Sequence, residues 1–350
     1  MTRSASPAPE AGNRVRLRRI GLALLAFAVS YPAVALALIA SQPLAGLAPG
    51  AGEGGLDFDA LRDAEASGLP ALETFEARDA TTLAFRTYPS ASPTGTVLVL
   101  LHGSGWHGMQ FASLASYLSA KGIAHVVTPD LRGHGFAPTR RGDVDYVGQL
   151  EDDLADLIEV LRRRYDSPRV VVGGHSSGGG LAIRFAGGSY GGVADAYLLL
   201  APFLKHDAPT TRRNAGGWAQ PLTRRIAGLT MLSAIGIHGF DRLAVIRFAM
   251  PRFVLEGPYG ATATTSYSYR LNASLAPRPN YGHDLGAIQQ PFLLVAGARD
   301  EAFIAELYEP TISRFTEAGT YVVLPEVGHL DLLTEPRTLQ TVAGWLDAAH

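Results

Sequence analysis

Along this chain the apolar positions fall into three patterns. From Ile20 to Ala40 the run IGLALLAFAVSYPAVALALIA carries no charge and has no polar face. Residues 41–56 (SQPLAGLAPGAGEGG and the following leucine) show no periodicity and read as a flexible linker. Beyond them, short apolar runs alternate with longer segments whose apolar residues recur every three or four positions. TVLVLL, AHVVTPD, RVVVGG, AYLLLA, PFLLVAG and TYVVLP are the strand-like runs, preceded by ALETFEA and TTLAFRTY. FASLASYLSAKG, YVGQLEDDLADLIEVLRRRY, Gly179 to Ala186 and Pro336 to Ala349 are the helical ones, with a short helix-like piece around Phe58 to Ala66. Strands alternating with helices predict an α/β fold: a mostly parallel central sheet with helices on both faces. Ligand sites on such sheets lie beyond the carboxyl ends of the strands.

The alternation breaks once, between the sixth and seventh strands of that sheet. Residues 204–289 are long, punctuated by glycine and partly helical, and predict a helical cap rather than a structureless loop. The core is then 57–203 with 290–350. The insertion carries Trp218, Met231, Ile235, Ile237, Phe240, Phe248, Met250 and Phe253 alongside Arg212, Arg213, Arg224, Arg225, Arg242, Arg247 and Arg252. These suit either a lining for an acyl chain and an acidic group, or the cap's own small core and its solvated surface.

The first pattern changes the picture of location. Twenty-one uncharged residues match a hydrocarbon core of about 30 Å at ~1.5 Å per residue, whereas a cleavable signal has an apolar stretch of about 7–15. The run therefore reads as a transmembrane anchor. A signal peptide cleaved near Ala35-Leu36-Ala37 is the alternative, and the missing polar face argues against a core helix. Arg14, Arg16, Arg18 and Arg19, in the basic arm of residues 1–19, place everything after the run on the non-cytoplasmic side, or free in the periplasm or medium if the run is cleaved. The net charge of −2 argues against a nucleic-acid partner. Zero cysteines exclude disulfides, thiolate metal sites and cysteine nucleophiles. Nothing in the pattern specifies an oligomeric state.

Candidate chemistry lies at the strand ends. In Gly174-His175-Ser176-Ser177-Gly178 a strand turns abruptly into a helix, and Ser176 holds the centre of G-x-S-x-G. Asp300 follows the strand PFLLVAG and His329 follows TYVVLP. A serine hydroxyl needs a base held by a third group, and Ser, Asp, His is the chain order expected on such a sheet. Read singly, the turn fits a serine N-cap, Asp300 caps the helical turn after it, and His329 is a loop histidine; together the three positions favour a nucleophile, an orienting acid and a base. Glu301 and Asp331 are rival acids, with Asp300 preferred because it directly follows its strand end. His102-Gly103 follows another strand, so the amides of Ser104 and Ser177 are the expected oxyanion donors. His102 and His107 lack metal-ligand spacing, and no metal or cofactor is expected. His134, in PDLRGHG, is expected to stabilise its own loop.

LHGSG, PDLRGHG, GGHSSGGG, AGARDEAF and VGHLD occur in the order seen in the α/β-hydrolase superfamily, and from about Val97 onward the chain resembles it. Within it the pattern is similar to the lysophospholipase and monoacylglycerol-lipase-like (serine aminopeptidase type) enzymes. The resemblance implies carboxylic ester hydrolysis through an acyl-enzyme on Ser176, with a cap between the sixth and seventh strands. A small-molecule ester or lipid is the implied substrate. Two other readings share these motifs: a peptidase resembling the proline aminopeptidases, and a non-catalytic binding protein on the same fold.

Overall fold

A computed structural model of the chain describes residues 10–44, 55–58, 68–136 and 138–348. Most of the expected linker, the helix-like piece after Phe58 and the first nine residues of the basic arm lie outside these.

The chain divides into two compact units, residues 1–46 with 222–241, and residues 47–221 with 242–350. The larger holds an eight-stranded sheet of β1 (Glu73–Glu76), β2 (Thr82–Tyr88), β3 (Thr96–Leu101), β4 (His125–Pro129), β5 (Arg169–His175), β6 (Ala196–Leu200), β10 (Phe292–Gly297) and β11 (Gly319–Leu324). Their order across the sheet is β1-β2-β4-β3-β5-β6-β10-β11. β2 pairs antiparallel with β1 and β4, and the remaining pairs are parallel. Every residue of β3, β6 and β10 is buried, as expected of strands covered on both faces.

Register decides where the site can be. Leu101 of β3 lies level with Gly174 of β5, and His175 with Leu200 of β6. Gly297 of β10 lies level with Leu324 of β11. The segments leaving these five strands therefore emerge together at one edge of the sheet.

The helices form where the 3.6-residue pattern predicts. In the second to fourth of them, α2 is Ala112–Ala120, α3 Gln149–Arg164 and α4 Ser177–Ala186. α3 buries Leu150, Leu154, Leu157, Ile158 and Leu161 on one face. Glu151 and Asp152 stand in its first turn and Arg162 to Arg164 in its last, matching the helix dipole at both ends. The chain closes with a helix at Pro336–Ala348. Part of the insertion departs from the helical expectation: β7 (Ala219–Pro221), β8 (Ala244–Phe248) and β9 (Ser266–Ser268) make a small antiparallel sheet. Trp218, just before β7, stacks on Phe248 with ring centroids 5.3 Å apart, and Phe248 meets Tyr267 edge-on at 4.6 Å.

The smaller unit pairs two helices distant in sequence, α1 (Glu10–Ala40) and α5 (Thr223–Ala234). α1 extends the uncharged run by ten residues at its N-terminal end. Ala35 and Ile39 are buried where α5 crosses, whereas Leu22, Leu24, Leu25, Phe27 and Val29 are exposed.

Candidate active site

At the end of β5 the chain must reverse into α4 within one residue, and Ser176 takes the strain. Its φ of 56° and ψ of −119° lie outside the regions open to ordinary side chains, a cost of about 1–3 kcal/mol that surrounding bonds must offset. The Ser176 amide donates to Leu200 O at 3.0 Å, and its carbonyl accepts from Gly180 N at 3.1 Å and Phe203 N at 2.9 Å. The turn has no room for side chains beside it: a Cβ at Gly178 would sit 2.0 Å from the Leu101 carbonyl oxygen. A Cβ on Gly103 would touch the Cβ of Ser176 at 3.3 Å, so the segment after β3 runs directly against this serine.

His329 and Asp300 come together from the ends of β11 and β10. The His329 Nδ1 donates to Asp300 Oδ2 at 2.8 Å, with both side chains almost fully buried. The other carboxylate oxygen, Oδ1, accepts the amides of Ala302 at 2.8 Å and Phe303 at 2.7 Å. Nδ1 is thus held as the donor, which leaves Nε2 as the basic nitrogen. The rival acids serve the backbone instead. Glu301 Oε2 accepts from the His329 amide at 2.8 Å, and Asp331 Oδ2 from the Gly328 amide at 3.0 Å.

The His175 ring, adjacent in sequence to Ser176, packs on the His329 ring with centroids 4.4 Å apart. Its Nε2 donates to the His329 carbonyl at 3.1 Å, and its Nδ1 accepts from Gln110 Nε2 at 3.4 Å. Gln110 Oε1 accepts in turn from the Gly103 amide at 3.2 Å. Burial and the neighbouring His329 ring push His175 well below the usual imidazole range, so it stays neutral and can keep one nitrogen as acceptor. This relay ties the segment after β3 to the one after β11, and neither Gln110 nor His175 stands out in the sequence as more than a spacer.

In the turn after β3 the flanking amides are committed, Gly103 to Gln110 and Gly105 to the Tyr267 hydroxyl at 2.7 Å. Ser104 N–H lies between them. Ser177 opens α4, where the first amides have no intrahelical acceptor and the dipole favours negative charge. The Ser104 hydroxyl accepts from Trp218 Nε1 at 2.9 Å. Tyr267 also bonds His134 Nε2 at 2.7 Å, while His134 Nδ1 bonds the Arg132 carbonyl at 3.1 Å. His134 therefore braces both its own loop, as expected, and the inserted small sheet. A cavity of about 400 Å³ opens beside β1, β2 and residues 130–145. Neither Ser176, Asp300 nor His329 lines it.

Comparison with known proteins agrees with this architecture. The alpha/beta hydrolase family matches residues 98–340, more than half of the chain. Protein phosphatase methylesterase 1 of Bos taurus is 28% identical over 129 residues, covering 37% of this chain and 31% of that protein. The match thus spans under a third of that relative's length. Among solved structures, a soluble variant of monoglyceride lipase from Saccharomyces cerevisiae aligns with a TM-score of 0.60 at 16% identity, over 81% of this chain and 96% of that one. A membrane phospholipase A described as a bacterial virulence factor aligns with a TM-score of 0.55 at 19% identity, over 96% and 98%. Sheet order, the strained turn at the end of β5 and the matched segment all lead to one assignment. The chain belongs to the alpha/beta hydrolase family.

Proposed function

We propose that this protein is a membrane-anchored serine hydrolase that cleaves carboxylic esters, with Ser176 as nucleophile, His329 as base and Asp300 as the acid that orients it. The observation that carries this reading is the buried Asp300–His329 pair at 2.8 Å, packed through His175 against the strained turn that presents Ser176. In the reaction His329 Nε2 takes the Ser176 proton as Oγ attacks the ester carbonyl. The Ser104 and Ser177 amides receive the oxyanion, a contribution of about 2.7–4 kcal/mol per donor in comparable sites. The imidazolium returns its proton to the departing alcohol, and Asp300 stabilises the charged ring meanwhile. Water, deprotonated by the same nitrogen, then adds to the acyl carbon and Ser176 leaves with the proton.

The esterase and lipase character of the structural neighbours supports an ester as substrate, and the 21-residue uncharged run in α1 supports a lipid-derived one. With α1 retained as the anchor, the arginines before it stay cytoplasmic and the hydrolase body lies on the other side. Fluorophosphonate labelling tests the nucleophile: wild type is expected to label and Ser176→Ala to stay dark. Equal labelling of both, or none of wild type, overturns the assignment. On the same preparations, p-nitrophenyl esters of rising chain length are expected to be cleaved faster as the acyl chain grows. Fastest cleavage of the acetyl ester would reject the lipid reading.

A further inference from the structure

The α1–α5 pair says how a second part of this chain meets the membrane. Gly228 lies so close to α1 that a Cβ there would be 2.4 Å from the Ala35 carbonyl oxygen and 2.8 Å from Ile39 Cγ1. At the start of α5 the Arg224 amide donates to Gln42 Oε1 at 2.9 Å and its guanidinium to the Ser41 carbonyl at 3.0 Å. The two helices therefore run antiparallel, with Arg224 level with the end of α1 and Gly228 level with residues 35–39. Backbone approach over small residues is how helices associate where no hydrophobic drive is available. Six residues beyond Gly228, at ~1.5 Å each, α5 ends about 9 Å further down α1, beside the middle of its uncharged run.

The composition of this segment fits that depth. Arg224 and Arg225 stand at the outer end; from Ile226 to Ile237 there is no charged residue. The Thr230 hydroxyl turns back to the Ile226 carbonyl at 2.9 Å, the arrangement that hides a hydroxyl inside a helix. At the far end Ile235, Ile237 and Phe240 are 49, 39 and 41% exposed within six residues. The ionisable groups there face each other, His238 Nδ1 against Asp241 Oδ2 at 2.9 Å. Three large exposed apolar side chains at one tip mark a contact surface, and the neighbouring surface of α1 is itself exposed and apolar from Leu22 to Val29.

We infer that residues 226–240 enter the lipid bilayer alongside α1, with Ile235, Ile237 and Phe240 as the embedded tip. This rests on α1 being the membrane anchor of the proposed function, and it sharpens that reading. Ala35, the first residue of the possible cleavage site, is wholly buried under α5. Cleavage there would strip α5 of its partner, so insertion of α5 beside α1 requires that α1 be retained.

The chain has no cysteine, so single-cysteine variants of the full-length protein can carry an environment-sensitive fluorophore in phosphatidylethanolamine–phosphatidylglycerol vesicles. Leu25→Cys reports on α1, Ile237→Cys on the tip, and Gly192→Cys, at an exposed site with open space around it, on solvent. The Ile237→Cys probe is expected to be quenched several-fold more by a nitroxide on the lipid acyl chain than by aqueous iodide, like Leu25→Cys and opposite to Gly192→Cys. Iodide quenching at Ile237→Cys with lipid quenching at Leu25→Cys overturns this inference and leaves the anchor standing. Iodide quenching at both overturns the two together. Shielding of Ile237→Cys from both quenchers assigns the tip to a protein contact and equally overturns lipid insertion.

Discussion

At the scale of single residues, the serine doublet is resolved by what surrounds each member. Ser176 carries the strained backbone angles, and Ser177, one residue on, is already helical with its amide at the helix start. The glycine register of G-x-S-x-G was legible because only close backbone approach demands it. Gly178 shows the demand directly, since its Cβ would collide with the Leu101 carbonyl oxygen. Gly178→Ala is therefore expected to destabilise the fold by about 3 kcal/mol through forced displacement of β3 from α4. Gly192→Ala, with nothing within 4 Å of its Cβ, should leave the urea midpoint where it is. Equal midpoints for both variants would contradict the packing described. Gln110 and His175 were not legible in this way. Their importance comes from partners 7 and 154 residues away, and no local pattern encodes such distances.

At the scale of elements, the parallel strands announce themselves because both of their faces are buried, which leaves unbroken apolar runs such as TVLVLL. The small sheet of the insertion does not, because β7 and β9 have only three residues each, too few to show an alternation. Its function as a brace is equally hidden in the sequence. Tyr267 reaches across 162 residues to the Gly105 amide and across 133 to His134. Tyr267→Phe leaves both groups buried without that partner, an expected loss of about 1–3 kcal/mol. Because Gly105 adjoins Ser104, the proposed oxyanion donor, kcat should fall in the same variant by more than KM rises. A Tyr267→Phe enzyme with wild-type kcat and thermal midpoint would remove the brace from the account.

At the scale of the whole molecule, several histidines are buried neutral. Burial pushes His102 down to about 4 and His107 to about 3, while His134 and His175 lie well below the ordinary imidazole value. In the unfolded chain each titrates near 6.5, so below that pH the unfolded state takes up protons that the folded state refuses. Their contribution is complete above pH 6.5 and is lost progressively as the pH falls toward 4. For His102 alone it amounts to roughly 3 kcal/mol across that range. Asp130 and Asp153, raised by burial, act in the opposite direction and offset part of the loss. The urea midpoint is expected to drop between pH 7 and pH 5; a flat profile would show that these rings are not held neutral.

The parallel sheet also imposes an order in time. Its four site-bearing strands are β3, β5, β10 and β11, so a growing chain makes the segment of Ser104 first, then Ser176, then the whole insertion, then Asp300 and His329. A nascent chain that has reached Gln290 possesses the proposed nucleophile, Ser176, and both proposed oxyanion amides, yet lacks His329, the proposed base. Competence is the last property that synthesis confers, arriving only as the C-terminal strand pairs with β10. On the proposed assignment, a hydrolase assembled in this sequence stays inactive throughout its synthesis until β11 has joined the sheet and carried His329 into place.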